Sequence, residues 1–363
     1  MTSLVGLIDM DGSGVNQLFK LLRSGLHVQY SSFLQTRRLK SLRISDAGRK
    51  LVANATNKGQ LEEVKISEII SKCDRIVVSY IHWLNSDIDK RDLAYVYGQI
   101  ANRAEDKEAH IIHTGIHGLG LMDWLASVLQ QNSGKKRLFY LPPARIFRGR
   151  VPVGGPPINT QARPIISVLA GRSQLFPGLS YIEAEAATLT QLLCEAALYA
   201  AAIETGLILY RRYGILHSEN LHNFVGKSRI SWRGKMGSSL LVLLCELEES
   251  EIQKSMIAEA IARVLRESDK TVRDLLTKHL SPKKQGRILL LNATPQIVEK
   301  ISRKFKVLYL TKSEIGSKRM QARIDAAVVA SPDAETLGLL KNLINEEGII
   351  IDLSTLRLIR PEK

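Results

Sequence analysis

The chain has 363 residues, 45% hydrophobic and 24% charged, enough to bury a sizeable core and to form two or three domains. Its formal net charge of +15 points to a polyanionic partner, nucleic acid before a membrane surface, without fixing which. Cys73, Cys194 and Cys245 are too few, and odd in number, for a disulfide framework; set in apolar segments, they read as reduced core thiols of a cytoplasmic protein.

The opening "MTSLVGLIDMDG" lacks the basic and long apolar regions of a signal peptide. "TSLVGLI" predicts a strand, "VNQLFKLLRSG" a helix closed by Gly25, and "LHVQY" a second strand. Further strands are predicted at "RIVVSYI", "AHIIHTG" and "RLFYLP", with helices at "DLAYVYGQIANRA" and "LMDWLASVLQQ" between them, the cadence of a parallel α/β sheet. The pattern changes at the Pro/Gly-rich "VPVGGPPINTQARP". From Tyr181 to Tyr213 the chain is alanine-rich and helical, and Glu195 and Glu204 interrupt it too often for a membrane span. Helices follow at "SSLLVLLCELEES" and "EIQKSMIAEAIARVLRE", then a linker, "LSPKKQGR". "RILLLNA", "FKVLYLT", "DAAVVAS" and "GIIIDL" resume the strand cadence in a smaller α/β unit. The expected domains are 1–178, 179–284 and 286–363.

The loop "DMDGSG" admits three readings. Asp9, Asp11, Ser13 and Gly14 match the first half of a calcium loop, but Lys20 stands where its bidentate glutamate belongs, and a strand rather than a helix precedes it. A strand, glycine turn and helix also suit a dinucleotide, with Gly12 in the turn and Gly14 as the third glycine of G-x-G-x-x-G. The first two glycines then fall on Asp9 and Asp11, whose carboxylates repel a pyrophosphate. Ser31 and Ser32 replace the acid that would bind a ribose, and the nearby Arg37 and Arg38 leave an atypical NADP site as a minority reading. The third reading is a tight turn in which an Asp or Ser side chain caps the helix.

Taken in order, the segments resemble the nucleotide-sugar dehydrogenases, the UDP-glucose and GDP-mannose dehydrogenase family. "DIDKRDLAYVYGQIA" looks like the segment after the family's fourth strand, "HTGIHGLG" like its S-T-V-P-P-G-T loop and "PPARIFRGRVPVGG" like its P-E-F/R-L/I-x-x-G loop. "IEAEAATLTQLLCEAALYAAAIETGLI" resembles its long central helix, and "RGKMGSSLLVLL" its G-F-G-G-S-C-x-P-K-D loop. The resemblance implies an N-terminal Rossmann-like parallel-sheet domain, an all-α middle domain with a long central helix forming a homodimer through 183–213, and a smaller C-terminal Rossmann-like α/β domain. It also implies lost chemistry. The loop glutamate falls on Ala144, the thioester cysteine on Ser239, and the central helix's lysine and asparagine near Ala200 and Thr205. A serine without a base beside it stays protonated and reacts poorly. No counterpart of the family's K-x-x-T-D-D-x-R-E-S stretch follows "GRILLLNATPQ".

In place of that chemistry stand cations. Lys135, Lys136, Arg137, Arg145, Arg148 and Arg150 interleave with Phe139, Tyr140 and Phe147, while Lys227, Arg229, Arg233 and Lys235 surround Trp232. The resemblance puts both groups at one cleft, where guanidinium–phosphate contacts and stacking rings would suit RNA, DNA or another polyanion. His110, His113 and His117 straddle a strand and its loop without a completing Cys or carboxylate, so no zinc site is expected. Ser238 and Ser239 lack a hydrolase elbow. The expected protein is therefore a non-catalytic, dimeric binding or scaffold homologue without cofactor; the alternatives are an atypical NAD- or NADP-dependent dehydrogenase and a structural subunit of a larger complex.

Overall fold

The computed structural model describes residues 4–33, 46–81, 90–102, 108–130, 135–147, 149–213, 256–280, 287–291, 301–302, 305–310, 324–329, 334–353 and 357–359. The chain divides into two compact units, Met1–Gln191 and Leu192–Lys363.

In the first unit the order is β1 (Leu4–Asp9), α1 (Val15–Arg23), β2 (His27–Ser32), α2 (Asp46–Asn57), β3 (Leu61–Glu63), α3 (Ile66–Lys72), β4 (Arg75–Ile81), α4 (Lys90–Ala101), β5 (Ala109–Ile116), α5 (Leu121–Gln130), β6 (Lys136–Tyr140), β7 (Arg150–Gly154), α6 (Arg163–Ala170) and β8 (Gln174–Leu179). The strands form one sheet in the order β3-β2-β1-β4-β5-β6-β7-β8. All pair in parallel except β6 with β7. Chain order reverses between β1 and β4, the switch point at which such sheets open a crevice beyond their carboxyl ends. The unbroken apolar run Ile76-Val77-Val78 is fully buried, as a strand covered on both faces requires. Leu18, Leu21 and Leu22 of α1 repeat at helical spacing and bury one face.

The change of pattern expected near residue 151 does not end the sheet. β7, α6 and β8 continue it, and their signal is weak for identifiable reasons. Pro164 sits in the first turn of α6, where a missing N–H costs nothing. β8 is a largely exposed edge strand carrying Pro177 and Gly178, which edges tolerate.

The predicted alanine-rich helix is α7 (Tyr181–Tyr213), which runs from the first unit into the second. Its Tyr181–Ile208 part is long and apolar enough to cross a membrane by length and composition. Glu185 and Glu195 are nevertheless buried within the fold, as in a helix packed against protein. Cys194 on this helix is exposed, which corrects the expectation of a core thiol; Cys73 is buried, and its Sγ donates to Gln29 Oε1 at 3.4 Å. Cys245 lies outside the described residues.

The second unit contains α8 (Met256–His279), β9 (Arg287–Leu291), β10 (Lys306–Leu310), β11 (Ile324–Val329), α9 (Ala334–Leu343), β12 (Ile344–Asp352) and β13 (Arg357–Ile359). Its sheet runs β10-β9-β11-β12-β13, parallel except for β12 with β13. The Tyr199 hydroxyl donates to Leu353 O at 3.4 Å and ties α7 to the end of β12. The predicted helix at 238–250 lies outside the described residues.

Candidate functional site

At the switch point, where such folds bind their ligands, the β1–α1 turn meets the carboxyl end of β4. Asp9 closes β1 with its side chain fully buried. Its Oδ1 accepts the backbone N–H groups of Gly12 at 2.8 Å and Gly14 at 3.0 Å, and its Oδ2 accepts the Tyr30 hydroxyl at 3.0 Å. Backbone donors converging at a helix N-terminus form a ready-made anion site. Here the acceptor is the chain's own Asp9 carboxyl group.

Asp11 is used in the same way: Oδ1 accepts Ser13 N at 2.9 Å and Oδ2 accepts Ile81 N at 2.7 Å. Ser13 Oγ meets Ser79 Oγ at 2.8 Å across the switch point. Gly12, at φ 88°, lets the chain turn back over Asp9, and a Cβ on Gly14 would lie 2.8 Å from Asp9 Cγ. Burial raises the Asp9 carboxyl above its usual range and pushes Asp11 up to about 6, with the Asp9 charge contributing to the Asp11 rise. Both carboxyl groups turn inward rather than toward the place a pyrophosphate would take in the dinucleotide reading, and of the Asp or Ser named in the tight-turn reading it is Asp9 that binds the Gly12 and Gly14 amides. These bonds engage the same carboxyl oxygens that the calcium reading would use as ligands. Ser32 ends β2 in register with Asp9, whereas Arg37 and Arg38 lie outside the described residues.

Beside this crevice, the structure gathers a cluster whose coherence the sequence conceals. His113 and His117 come from β5 and the residue just past it, yet their rings meet edge to face with centroids 5.2 Å apart. His113 Nδ1 bonds the Tyr97 hydroxyl of α4 at 2.8 Å. His117 Nδ1 lies 3.1 Å from Gly118 O and 3.4 Å from Glu185 Oε1 of α7. Glu185 accepts Gly120 N at 2.7 Å and Met122 N at 2.8 Å, which caps the start of α5. The Tyr140 hydroxyl donates to Gly115 O at 3.2 Å. Burial lowers His117 to about 4 and His113 well below its ordinary value, so both rings are neutral at neutral pH, while burial raises Glu185. His110 lies apart at the start of β5, 2.6 Å from Asn159 Nδ2. No group of three or more His, Cys, Asp or Glu among the described residues could hold a metal ion.

The basic residues divide. Lys135, Lys136 and Arg137 stand at the amino end of β6, opposite the crevice. Lys136 is buried and its ammonium donates to Ala101 O at 2.7 Å, which removes it from the surface. Arg137 reaches Glu108 at 3.7 Å. A cavity of about 410 Å³, lined in part by Asp123, Lys136, Arg137 and Tyr181, opens at this end. Arg150 begins β7, which pairs antiparallel with β6 at Tyr140–Gly154 and therefore starts toward the other end of the sheet; its Nε donates to Gln174 Oε1 at 3.3 Å. These four residues therefore do not stand at one end of the sheet: Lys135, Lys136 and Arg137 lie at the amino end of β6 and Arg150 toward its carboxyl end. Arg145 belongs to a short 3-10 turn, but its side chain, like all of Arg148, Lys227, Arg229, Trp232, Arg233, Lys235 and Ser239, lies outside the described residues. Ala144 is buried in that turn, Ala200 is buried on α7, and the Thr205 hydroxyl donates back to Ala201 O at 2.9 Å.

No family model matches the sequence, and no curated protein matches it either. Solved structures do. A UDP-glucose dehydrogenase from the hyperthermophilic archaeon Pyrobaculum islandicum superimposes with a TM-score of 0.72 at 13% identity, covering 97% of this chain and 94% of that one. A UDP-D-ManNAc dehydrogenase from Pyrococcus horikoshii gives 0.68 at 14% identity, with coverage of 96% and 94%. A UDP-N-acetyl-mannosamine dehydrogenase from Staphylococcus aureus gives 0.59 at 10% identity, covering 97% and 98%. The chain therefore has the fold of the nucleotide-sugar dehydrogenases along nearly its whole length, as the order of its segments led us to expect.

Proposed function

We propose that this chain keeps the nucleotide-sugar dehydrogenase fold without its oxidoreduction and works as a dimeric binding or scaffold protein. The observation that carries this reading is the Asp9 carboxylate seated on Gly12 N and Gly14 N, where a bound pyrophosphate would need to lie. A dinucleotide would have to displace a buried side chain that accepts three hydrogen bonds. Ala144, Ala200 and Thr205, which supply neither acid, lysine nor amide, agree with it. Dimerisation through 183–213 would cover the exposed face of α7, and the net charge of +15 favours RNA, DNA or another polyanion as partner in the cytoplasm. Incubating purified protein with UDP- or GDP-sugars and NAD or NADP tests the reading; reduction of either nucleotide ends it.

The fold neighbours, dehydrogenases of UDP-sugars by description, favour a second reading in which an atypical site still binds NAD or NADP and turns over a nucleotide sugar. It requires the β1–α1 turn to rearrange.

A further inference from the structure

We propose that the Glu185–His117 contact is an acid-sensitive latch on the first turn of α5. The Glu185 carboxylate serves two competing sets of donors. On one side are Gly120 N and Met122 N, the unpaired amides that open α5; on the other is His117 Nδ1, 3.4 Å from Oε1. Because Gly118 O can only accept, the His117 proton sits on Nδ1 in the neutral ring, which leaves Nε2 as the basic atom. That atom is buried and has no hydrogen-bond partner among the described residues, as is true of His113 Nε2 in the neighbouring ring.

The first proton taken up by the pair loosens the latch on whichever group it lands. On Glu185 it leaves a neutral carboxyl, a weaker acceptor than the carboxylate. On His117 it creates an imidazolium that draws Oε1 away from Met122 N. Among the described residues no rival counter-charge faces the pair: His113 of β5, Tyr97 of α4, Tyr80 of β4 and Tyr140 of β6 surround the rings, and Asp123 of α5 opposes the Glu185 charge. Burial holds His117 at about 4, so that ring takes up its proton only in the acid range, and burial raises Glu185 toward the same loss of charge as the pH falls. The segment it releases carries the exposed Leu119.

Amide exchange on the full chain at pH 7 and at about pH 4.5, corrected for intrinsic rates, tests this. Gly120 and Met122 should lose about tenfold in protection while Val77 of β4 keeps its own, the difference expected between a charged and a neutral acceptor. Glu185→Gln should lower protection at those two amides already at pH 7 and abolish its pH dependence. In His117→Asn, loosening should await protonation of Glu185 alone and so shift in pH. Protection unchanged by pH, a loss that Val77 shares, or a wild-type pH profile in both variants overturns the latch.

Discussion

Asp9 and Gly14 fit each other so closely that neither tolerates enlargement of the other: the Asp9 carboxylate accepts the Gly14 amide at 3.0 Å, and a methyl group on Gly14 would lie 2.8 Å from Asp9 Cγ. Gly14→Ala should therefore destabilise the chain by about 1 to 3 kcal/mol through overpacking. Asp9→Ala should cost about 2 to 4 kcal/mol, because the Gly12 and Gly14 amides and the Tyr30 hydroxyl lose their acceptor. Urea unfolding measures both; values within error of wild type would mean that the turn is not held this way.

Asp11 gives a pH test of the same turn. Its folded carboxyl is raised from 3.8 to about 6, so the fold binds that proton more tightly than the unfolded chain does. The stability this provides is fully present below pH 3.8 and is lost as the pH rises through about 6. Asp11→Asn lacks that loss. Between pH 4 and 7 the wild type should thus fall relative to the variant by about 2 to 3 kcal/mol at most, and parallel stability curves would show that Asp11 is not buried as described.

Much of the first unit was legible. Ile76 to Val78 and Leu18 to Leu22 carry their periodicity openly, and the strands of the second unit were equally plain. The edge strand β8 was not, since exposure removes the alternation that marks a strand. In the candidate site, sequence placed Asp9, Asp11 and Gly14 in one turn but could not say which way a carboxylate points; that depends on Tyr30 and Ile81, which are distant in the chain. The histidine cluster escaped for a similar reason, because Tyr97 meets His113, and Glu185 meets His117, only after α4, β5 and α7 pack. Lys136 misled because a charge run looks solvated, while this residue is buried and its ammonium donates to Ala101 O.

The exposed thiol reports on assembly. Cys194 should react with a thiol reagent in the native chain at low concentration and become protected as a dimer forms through 183–213, whereas Cys73 reacts only after unfolding. Sedimentation run in parallel supplies the stoichiometry. A chain that stays monomeric at high concentration, with Cys194 equally reactive throughout, argues against this dimer.

Polyanion binding should weaken linearly in log–log form as salt increases, because each phosphate contact releases counterions. Arg137→Ala and Arg150→Ala, at opposite ends of the sheet, should not lower the slope together if a single groove binds the strand. Labelled single-stranded RNA and DNA across a salt series provide the readout, and no binding at low salt removes the polyanion from the account.

If Asp9 occupies the amides of the β1–α1 turn from within, titration of the wild-type chain with NAD, NADP and UDP-sugars in a thermal unfolding assay should register no binding. A ligand at a hundred times its dissociation constant would add about 2.7 kcal/mol of stability, a readily measured shift. The midpoint should stay unchanged with both dinucleotides and every sugar nucleotide; a saturable rise with NAD or NADP, reversed by Gly14→Ala, would show that Asp9 does not close the turn to a dinucleotide.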